Sequence, residues 1–249
     1  MNLVHSPERL AALERLITRE RLSYYLEESE SDLAGAIRLY ELNSRLSAML
    51  YVPVQGLEVL IRNAMNEQLC ARFGADWQEL DTIQLDYPQE DDVRRAIAAI
   101  DGDETNGKVV AELSLGFWAA LLNSANDNEI WRKALYKAFP HRPKGVERKN
   151  VHGAINAVRR LRNRIAHHEK IIHRDLREDH DRIIQIAGWI CPETRDWIAE
   201  LSAFDPTIIP HEEDETLDLK AETEPAASEP KAYGPTRDGR ERLGIRPSN

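Results

Sequence analysis

The sequence predicts an all-α protein, a helical bundle of about eight or nine helices. Apolar residues recur every three or four positions through most of residues 1–205, which is the spacing of one face of an α-helix. Capping side chains and prolines stand where several of these stretches begin. No segment combines alternating apolar and polar residues with the turn signals of a β-strand. These observations together indicate helix packed on helix.

The first half of the chain is expected to hold four helices. Ser6-Pro7-Glu8 starts a helix that runs to about residue 28, because it supplies a capping hydroxyl, a proline and an acid in the first turn. Ser31-Asp32 starts a second helix, and Pro53 starts a third that ends before Gly74. A fourth is expected over 88–100. Residues 75–87 look irregular, with Trp77 and Tyr87 expected in the core.

Five more helices are predicted in the second half. The apolar spacing predicts helices over 109–122 and 127–139, and a long helix from about residue 146. Two further helices are expected over 175–189 and 192–204. After residue 205 the periodicity disappears, and Glu, Asp, Pro, Ala and Gly dominate. We therefore expect a helical domain over 1–205 and a disordered acidic tail over 206–249.

Composition and charge exclude several classes of protein. No apolar run approaches the roughly 18 residues that a membrane span needs, and the N-terminus lacks the apolar core of a signal peptide. With only Cys70 and Cys191, buried free thiols in a reducing cytosol are expected, and the protein is predicted to be cytoplasmic.

A net charge of −10 argues against a protein that coats nucleic acid. Residues 142–174, however, carry ten Lys or Arg against two Glu, a net charge of +8. This segment is either a local anion site or a solvated basic helix face.

Chemistry-bearing residues are concentrated in the stretch from Arg162 to Glu169, near the expected end of the long helix. Arg162 would stabilise the charge that develops on a phosphorane, and His167 would transfer protons. Asn163 precedes His167 by four residues, so its amide would orient the imidazole. Arg164 and His168 form a second pair with the same spacing. Such residues can cleave RNA without a metal, because the ribose 2′-hydroxyl is itself the nucleophile.

Helical geometry sets a condition on this site. Arg162 and His167 lie about 140° apart around an ideal helix, so they converge only if the last turn loosens or a second subunit supplies its own pair. Arg162 stands beside the apolar seam, which also favours a partner chain. Two alternatives stay open from spacing alone: a structural charge cluster, or a helix end that binds phosphate without catalysis.

The chain resembles the Abi-like (abortive infection) family of bacteria, within the HEPN superfamily. The stretch from Arg162 to His167 is similar to the Arg-x(4–6)-His signature of HEPN proteins, in the form with Asn after Arg. His168 gives the same motif with one more residue between, so the choice between the two histidines stays open. The proline that usually follows the motif is absent, since Lys170 follows Glu169. Further similar blocks are Leu22-Ser-Tyr-Tyr25, Leu39-Tyr-Glu-Leu-Asn-Ser44, Leu57-Glu-Val-Leu-Ile-Arg-Asn63, Val110-Ala-Glu-Leu-Ser-Leu-Gly-Phe-Trp118 and Trp189-Ile-Cys-Pro192.

The resemblance implies a HEPN-like helical domain that acts as a dimeric, metal-independent endoribonuclease in phage defence or growth arrest. Arg162, Asn163 and His167 would be the site, with no cofactor, and His168 and Arg164 in support. The expected partners are RNA and a second copy of the chain; the residues name neither a neutralising partner nor a phage trigger. A non-catalytic RNA-binding or phage-sensing module is the alternative function.

Glu58, Arg62 and Asn63 form a second polar cluster. Glu58 and Arg62 are four residues apart, so a surface ion pair between them is the simple expectation. The resemblance instead implies that their helix flanks the motif helix and presents them to the same cleft. His152 and His173 could also bind RNA phosphate, or could lie on a solvated basic face.

Overall fold

The computed structural model describes residues 5–79 and 83–209, and all helices below lie in those ranges. The all-α class is confirmed, since none of the described residues forms a strand. Nine α-helices are present: α1 Pro7–Ile17, α2 Arg19–Glu28, α3 Leu33–Phe73, α4 Tyr87–Ala98, α5 Asn106–Glu112, α6 Leu115–Ala120, α7 Arg148–Ala166, α8 Leu176–Ile190 and α9 Pro192–Leu201. Shorter 3-10 turns occupy Ser124–Asn126, Leu135–Ala138 and Pro206–Ile208, and a π turn occupies Asp127–Trp131.

The longest helix, α3, joins two predicted helices into one of 41 residues. Asp32 caps its start by accepting hydrogen bonds from the Ala34 and Gly35 amides, and the helix ends at Gly74 with φ of +100°. Pro53 lies inside it, so the prediction that Pro53 starts a helix was wrong. Apolar burial explains this continuity. Leu50, Val54 and the following buried positions stay on one face across the proline, so burial offsets its cost of about 3 kcal/mol.

The predicted helix over 7–28 is two helices, because the chain turns at Thr18. That residue has φ of +75°, which an α-helix cannot contain, and its hydroxyl accepts a hydrogen bond from the Arg21 amide at 3.4 Å. The helix predicted over 109–122 also forms two helices, α5 and α6. Leu113 is extended, and the Ser114 hydroxyl accepts from the Phe117 amide to begin α6.

Residues 127–139 do not form the predicted α-helix. Asp127 anchors this segment by accepting hydrogen bonds from Arg132 Nε at 2.7 Å and from Arg148 Nε at 3.1 Å, which ties it to the start of α7. Its backbone forms a π turn and then a 3-10 turn. The apolar residues still reach the core, since Ile130, Leu135 and Phe139 are fully buried.

Trp77 and Tyr87, in the segment 75–87, were both expected in the core, and only Trp77 is buried. Trp77 is fully buried, and its indole N–H donates to Asn66 Oδ1 at 2.7 Å. Tyr87 is 74% exposed, because it is the first residue of α4 and faces away from the buried side of that helix. Residues 80–82 lie outside the described part of the chain.

The core brings α3, α7, α8 and α9 together. On α7 the predicted seam is buried at Val151, Val158, Leu161 and Ile165, with Ala154 half-buried, and Ile155 joins it. Full burial of each such side chain is worth about 1.5–3 kcal/mol. A second, smaller cluster links α1 and α2 to the beginning of α3. The main core and this smaller cluster together place the end of α7 beside α2 and α3.

The predicted disordered tail does not begin at residue 206. Residues 206–209, where the tail was expected to begin, include a 3-10 turn, and Ile208 and Ile209 pack against the core. The rest of the predicted tail, 210–249, lies outside the described residues.

Cys70 and Cys191 are free thiols, each half-buried. No helix in the described ranges combines the length and apolar character needed to cross a bilayer.

Candidate active site

The helix that carries the predicted site, α7, contains no acidic residue. Its 19 residues hold six cations: Arg148, Lys149, Arg159, Arg160, Arg162 and Arg164. The apolar seam of the helix is buried on the core, so its charged side chains are restricted to the opposite and flanking faces. The concentration of cationic side chains makes α7 a suitable surface for a polyanion.

The helix ends within the motif itself. His167 is the C-cap residue, and the His168 and Glu169 amides donate to the Ile165 and Arg164 carbonyls at 3.1 and 2.8 Å. These two bonds form a Schellman motif, with His168 at the position that glycine normally takes. His168 accordingly has φ of +56°. The last turn thus departs from a continuing helix immediately after Ala166, which is where the sequence required a distorted exit.

Side chains from α2 and α3 hold this exit in place. Asn43 of α3 is buried, and its Oδ1 accepts from the Ile171 and Ile172 amides at 2.7 and 3.2 Å. Its Nδ2 donates to the Glu169 carbonyl at 3.4 Å. From α2, the Arg21 guanidinium donates to the His168 carbonyl. The backbone from His167 to Ile172 is therefore fixed by three bonds from the Asn43 side chain and two from Arg21, which also donates to the His167 carbonyl at 3.5 Å.

Arg162 points toward α3, where it meets the second polar cluster. Its Nε lies 3.2 Å from Glu58 Oε2, and both side chains are partly exposed. Glu58 therefore pairs with Arg162 and not, as the spacing suggested, with Arg62. Arg62 is half-buried, with its Nε inaccessible to solvent and without a hydrogen-bond partner among the described residues. Asn63 is exposed.

Asn163 and His167 make a different contact from the predicted one. The His167 amide donates to the Asn163 carbonyl at 2.9 Å, which is a backbone bond of the last helical turn. The His167 imidazole is exposed, and the Asn163 side chain is half-buried. Arg162 thus contacts α3 while His167 faces solvent at the C-cap, so the two predicted catalytic groups point to different surroundings.

His168 belongs to a neighbouring cleft of about 280 Å³ between α2 and the exit of α7. Lys170 lies with Nζ 3.6 Å from the centre of the Tyr24 ring, a cation–π contact. Arg164 lies 3.5 Å from Glu169 and donates to the Lys170 carbonyl at 3.3 Å. Arg164 and His168, predicted as a pair, both line this cleft.

The electrostatic effect of these cations is seen at His173 and His152. Burial lowers the pKa of His173, and the charges of Arg164, Lys170 and Arg174 lower it further. Burial likewise lowers the pKa of His152, with added contributions from Arg148 and Arg159. Both imidazoles therefore lie in a positive field on the side of the protein that carries α7.

Asn43, Arg21 and Tyr24 surround the motif but were not predicted as site residues, although Asn43 and Tyr24 lie in segments similar to the abortive-infection family. Asn43 had a detectable signal, because it occupies a buried position of the α3 seam three residues before Leu46. A polar residue on such a seam needs a hydrogen-bond partner. What it would bind could not be read from the spacing, since its partners are 126 to 129 residues away.

Comparison with known proteins adds no assignment. No family model, no curated protein and no solved structure matches the chain. Among the described residues, no group of three or more His, Cys, Asp or Glu side chains is arranged to hold a metal ion. The arrangement that remains is a guanidinium fixed by a carboxylate, an exposed imidazole one turn later, and a surrounding surface of cations.

Proposed function

We propose that the protein is a metal-independent endoribonuclease of abortive-infection type, with a HEPN-like site at the end of α7. The observation that carries the proposal is the placement of Arg162 and His167 across the terminal turn of a helix without acidic residues. A phosphate would meet a positive surface there, an arginine oriented by Glu58, and an accessible imidazole. The resemblance to abortive-infection proteins supplies the phage-defence role.

In the proposed mechanism the ribose supplies its own nucleophile. One imidazole removes the 2′-hydroxyl proton, and the 2′-oxygen forms a bond to the adjacent phosphorus. The bond from phosphorus to the 5′-oxygen then breaks, and a protonated imidazole donates a proton to that oxygen. The products are a 2′,3′-cyclic phosphate and a 5′-hydroxyl. Arg162 would stabilise the phosphorane charge.

The proposal includes a homodimer, because Arg162 and His167 contact different surroundings in one chain. A second copy would bring a second Arg162 and His167, so that one imidazole serves as base and the other as acid. An exposed apolar surface on α3 and α9 supports this assembly. Its residues include Val52, Trp197 and Leu201, which are 41%, 50% and 48% exposed.

The test is RNA cleavage in the presence of chelator. Wild-type protein should cut RNA and leave cyclic phosphate ends, and it should leave DNA intact. His167→Ala and Arg162→Ala should each abolish cutting. His141→Ala and Arg15→Ala are matched controls, because both residues are exposed and lie outside the site. Unchanged cutting in both site variants would overturn the assignment.

A second candidate function is a non-catalytic RNA-binding or phage-sensing module. The Glu58–Arg162 ion pair favours it, because a paired guanidinium has part of its charge neutralised. Under this alternative the wild type binds RNA without cutting it, and Arg162→Ala changes binding alone. Cleavage that depends on His167 would exclude it.

A further inference from the structure

The face of α7 that leads to His167 carries polar and cationic side chains along its whole length. At about 100° per residue, Lys149, His152, Asn156, Arg160 and His167 fall within an arc of about 80°. From His152 to His167 this face extends about 22 Å, at the helical rise per residue. Arg162 lies on a different face of α7, because its side chain points toward Glu58 on α3.

A cleft of about 550 Å³ opens on this face, between α6 and α7. Gly116, Ala120 and Asn123 form one wall. The wall from α7 is formed by His152, Gly153, Asn156, Arg159 and Arg160. None of the described residues that line the cleft is acidic, although the chain has a net charge of −10.

The cations of α7 divide into two groups by their partners. Three of them have carboxylate partners, which reduce their effective charge: Arg148 with Asp127, Arg162 with Glu58, and Arg164 with Glu169. The other three, Lys149, Arg159 and Arg160, form no ion pair within the described ranges.

Two of the three cations without an ion pair, Arg159 and Arg160, line the cleft. Arg159 Nε donates to the Asn156 side-chain oxygen at 3.0 Å, which orients the guanidinium along the cleft without neutralising it. Arg160 and Lys149 are exposed, so their charges are available to a ligand. The uncompensated positive charge of α7 is therefore concentrated where the cleft lies.

We propose that this cleft and the face of α7 below it, the α7 groove, bind the backbone of single-stranded RNA and lead it to His167. Phosphates would contact Arg159 and Arg160, and the amides of Asn123 and Asn156 would hydrogen-bond to ribose or base edges. We propose a single strand because its unpaired bases leave their edges free to hydrogen-bond with these amides. The destination at His167 rests on the proposed nuclease function; the binding itself does not.

Gly153 offers a direct test, because it lines the cleft and a side chain there meets open space. Gly153→Glu introduces a carboxylate into the α7 groove, and Gly153→Gln introduces the same volume without charge. Both residues favour helix more than glycine does, so neither variant should unfold α7. Circular dichroism and thermal unfolding of both variants verify this.

Binding is measured with a fluorescein-labelled oligouridylate of about 20 nucleotides, in the full chain carrying His167→Ala so that no cleavage occurs. Gly153→Glu should weaken binding at least about tenfold relative to Gly153→Gln, because a carboxylate repels phosphate. In parallel, Arg160→Gln should make the slope of log K against log salt concentration shallower by about 0.7, the value for one phosphate contact on a single strand. Arg15→Gln, on α1, is the matched control and should leave the slope unchanged.

Equal affinity of Gly153→Glu and Gly153→Gln would by itself overturn the α7 groove, and so would an unchanged slope in Arg160→Gln. The result is separable from the proposed nuclease. If RNA binds through the α7 groove but wild-type protein cuts nothing, the proposed function fails and the groove stands. If wild-type protein cuts RNA and the Gly153 variants bind it equally, the groove fails and the nuclease stands.

Discussion

Arg162 Nε lies 3.2 Å from Glu58 Oε2, and this ion pair connects α7 to the middle of α3. The contact joins two residues 104 positions apart and sets the direction in which the guanidinium points. Both side chains are partly exposed, so the pair contributes at most about 1 kcal/mol to folding. We therefore expect its main effect on the orientation of Arg162.

The first prediction concerns that orientation. Glu58→Gln should change the free energy of unfolding by less than about 1 kcal/mol. Under the proposed function it should slow RNA cleavage by about ten- to a hundredfold, because a misdirected arginine no longer meets the phosphorane. Single-turnover cleavage and urea denaturation measure the two effects. Glu67→Gln, an exposed residue farther along α3, is the control and should alter neither. Cleavage at the wild-type rate in Glu58→Gln would contradict the prediction.

The second prediction separates the two histidines of the motif. His168 has φ of +56°, so replacing it with glycine should stabilise the protein by up to about 1 kcal/mol and preserve the Schellman motif. If His167 is the catalytic residue, His168→Gly should cleave RNA at nearly the wild-type rate, while His167→Ala should not cleave. Loss of cleavage in His168→Gly with a raised melting temperature would assign the proton transfer to His168.

The third prediction concerns Asn43. Asn43→Ala should destabilise the protein by about 2–4 kcal/mol, because it leaves the Ile171 and Ile172 amides without an acceptor. The neighbouring substitution Ser44→Ala, on the exposed side of α3, should cost less than about 0.5 kcal/mol. Urea denaturation measures both. Equal stability of the two variants would show that the exit of α7 does not depend on Asn43.

The fourth prediction is a dependence of stability on pH. Burial lowers the pKa of His180, whose Nε2 lies 2.9 Å from Ser202 Oγ. The unfolded chain therefore binds a proton at higher pH than the folded chain, and stability falls as pH is lowered through 6.5. The lowered pKa values of His152 and His173 act with the same sign.

The test compares unfolding in urea at pH 7.5 and 5.5, a range above the ordinary pKa values of Asp and Glu. His180→Gln should retain a polar contact with Ser202 and lose less stability over this range than the wild type does. Equal losses in the two proteins would show that His180 does not titrate differently in the folded state.

The fifth prediction concerns the exposed surface of α3 and α9. Trp197→Asp should convert a dimer to a monomer, because a charge at a half-exposed aromatic residue prevents apolar burial between copies. Under the proposed mechanism it should also abolish RNA cleavage. Sedimentation velocity gives the oligomeric state. Leu16→Asp is the control, since Leu16 is 70% exposed on α1. A wild type that is monomeric at concentrations where it cuts RNA would remove the dimer from the mechanism.

The sequence by itself determined the all-α class, most of the buried seam of α7 and the position of its end. These properties depend on short-range periodicity and on capping residues, which act within a few positions along the chain. It also concentrated the positive charge in residues 142–174, because charge is a property of composition. It did not find the continuity of α3 through Pro53, since that depends on burial against distant helices.

Only the tertiary structure decided which residues surround the motif. Glu58 pairs with Arg162 and not with Arg62, and Asn43 and Arg21 hold the chain after His167. Each of these contacts joins residues more than a hundred positions apart, so helical spacing within one element contains no information about them. The same packing directs Arg162 toward α3 and leaves His167 exposed. The direction of a side chain across a helix interface depends on how the helices pack, and that is fixed when the core forms.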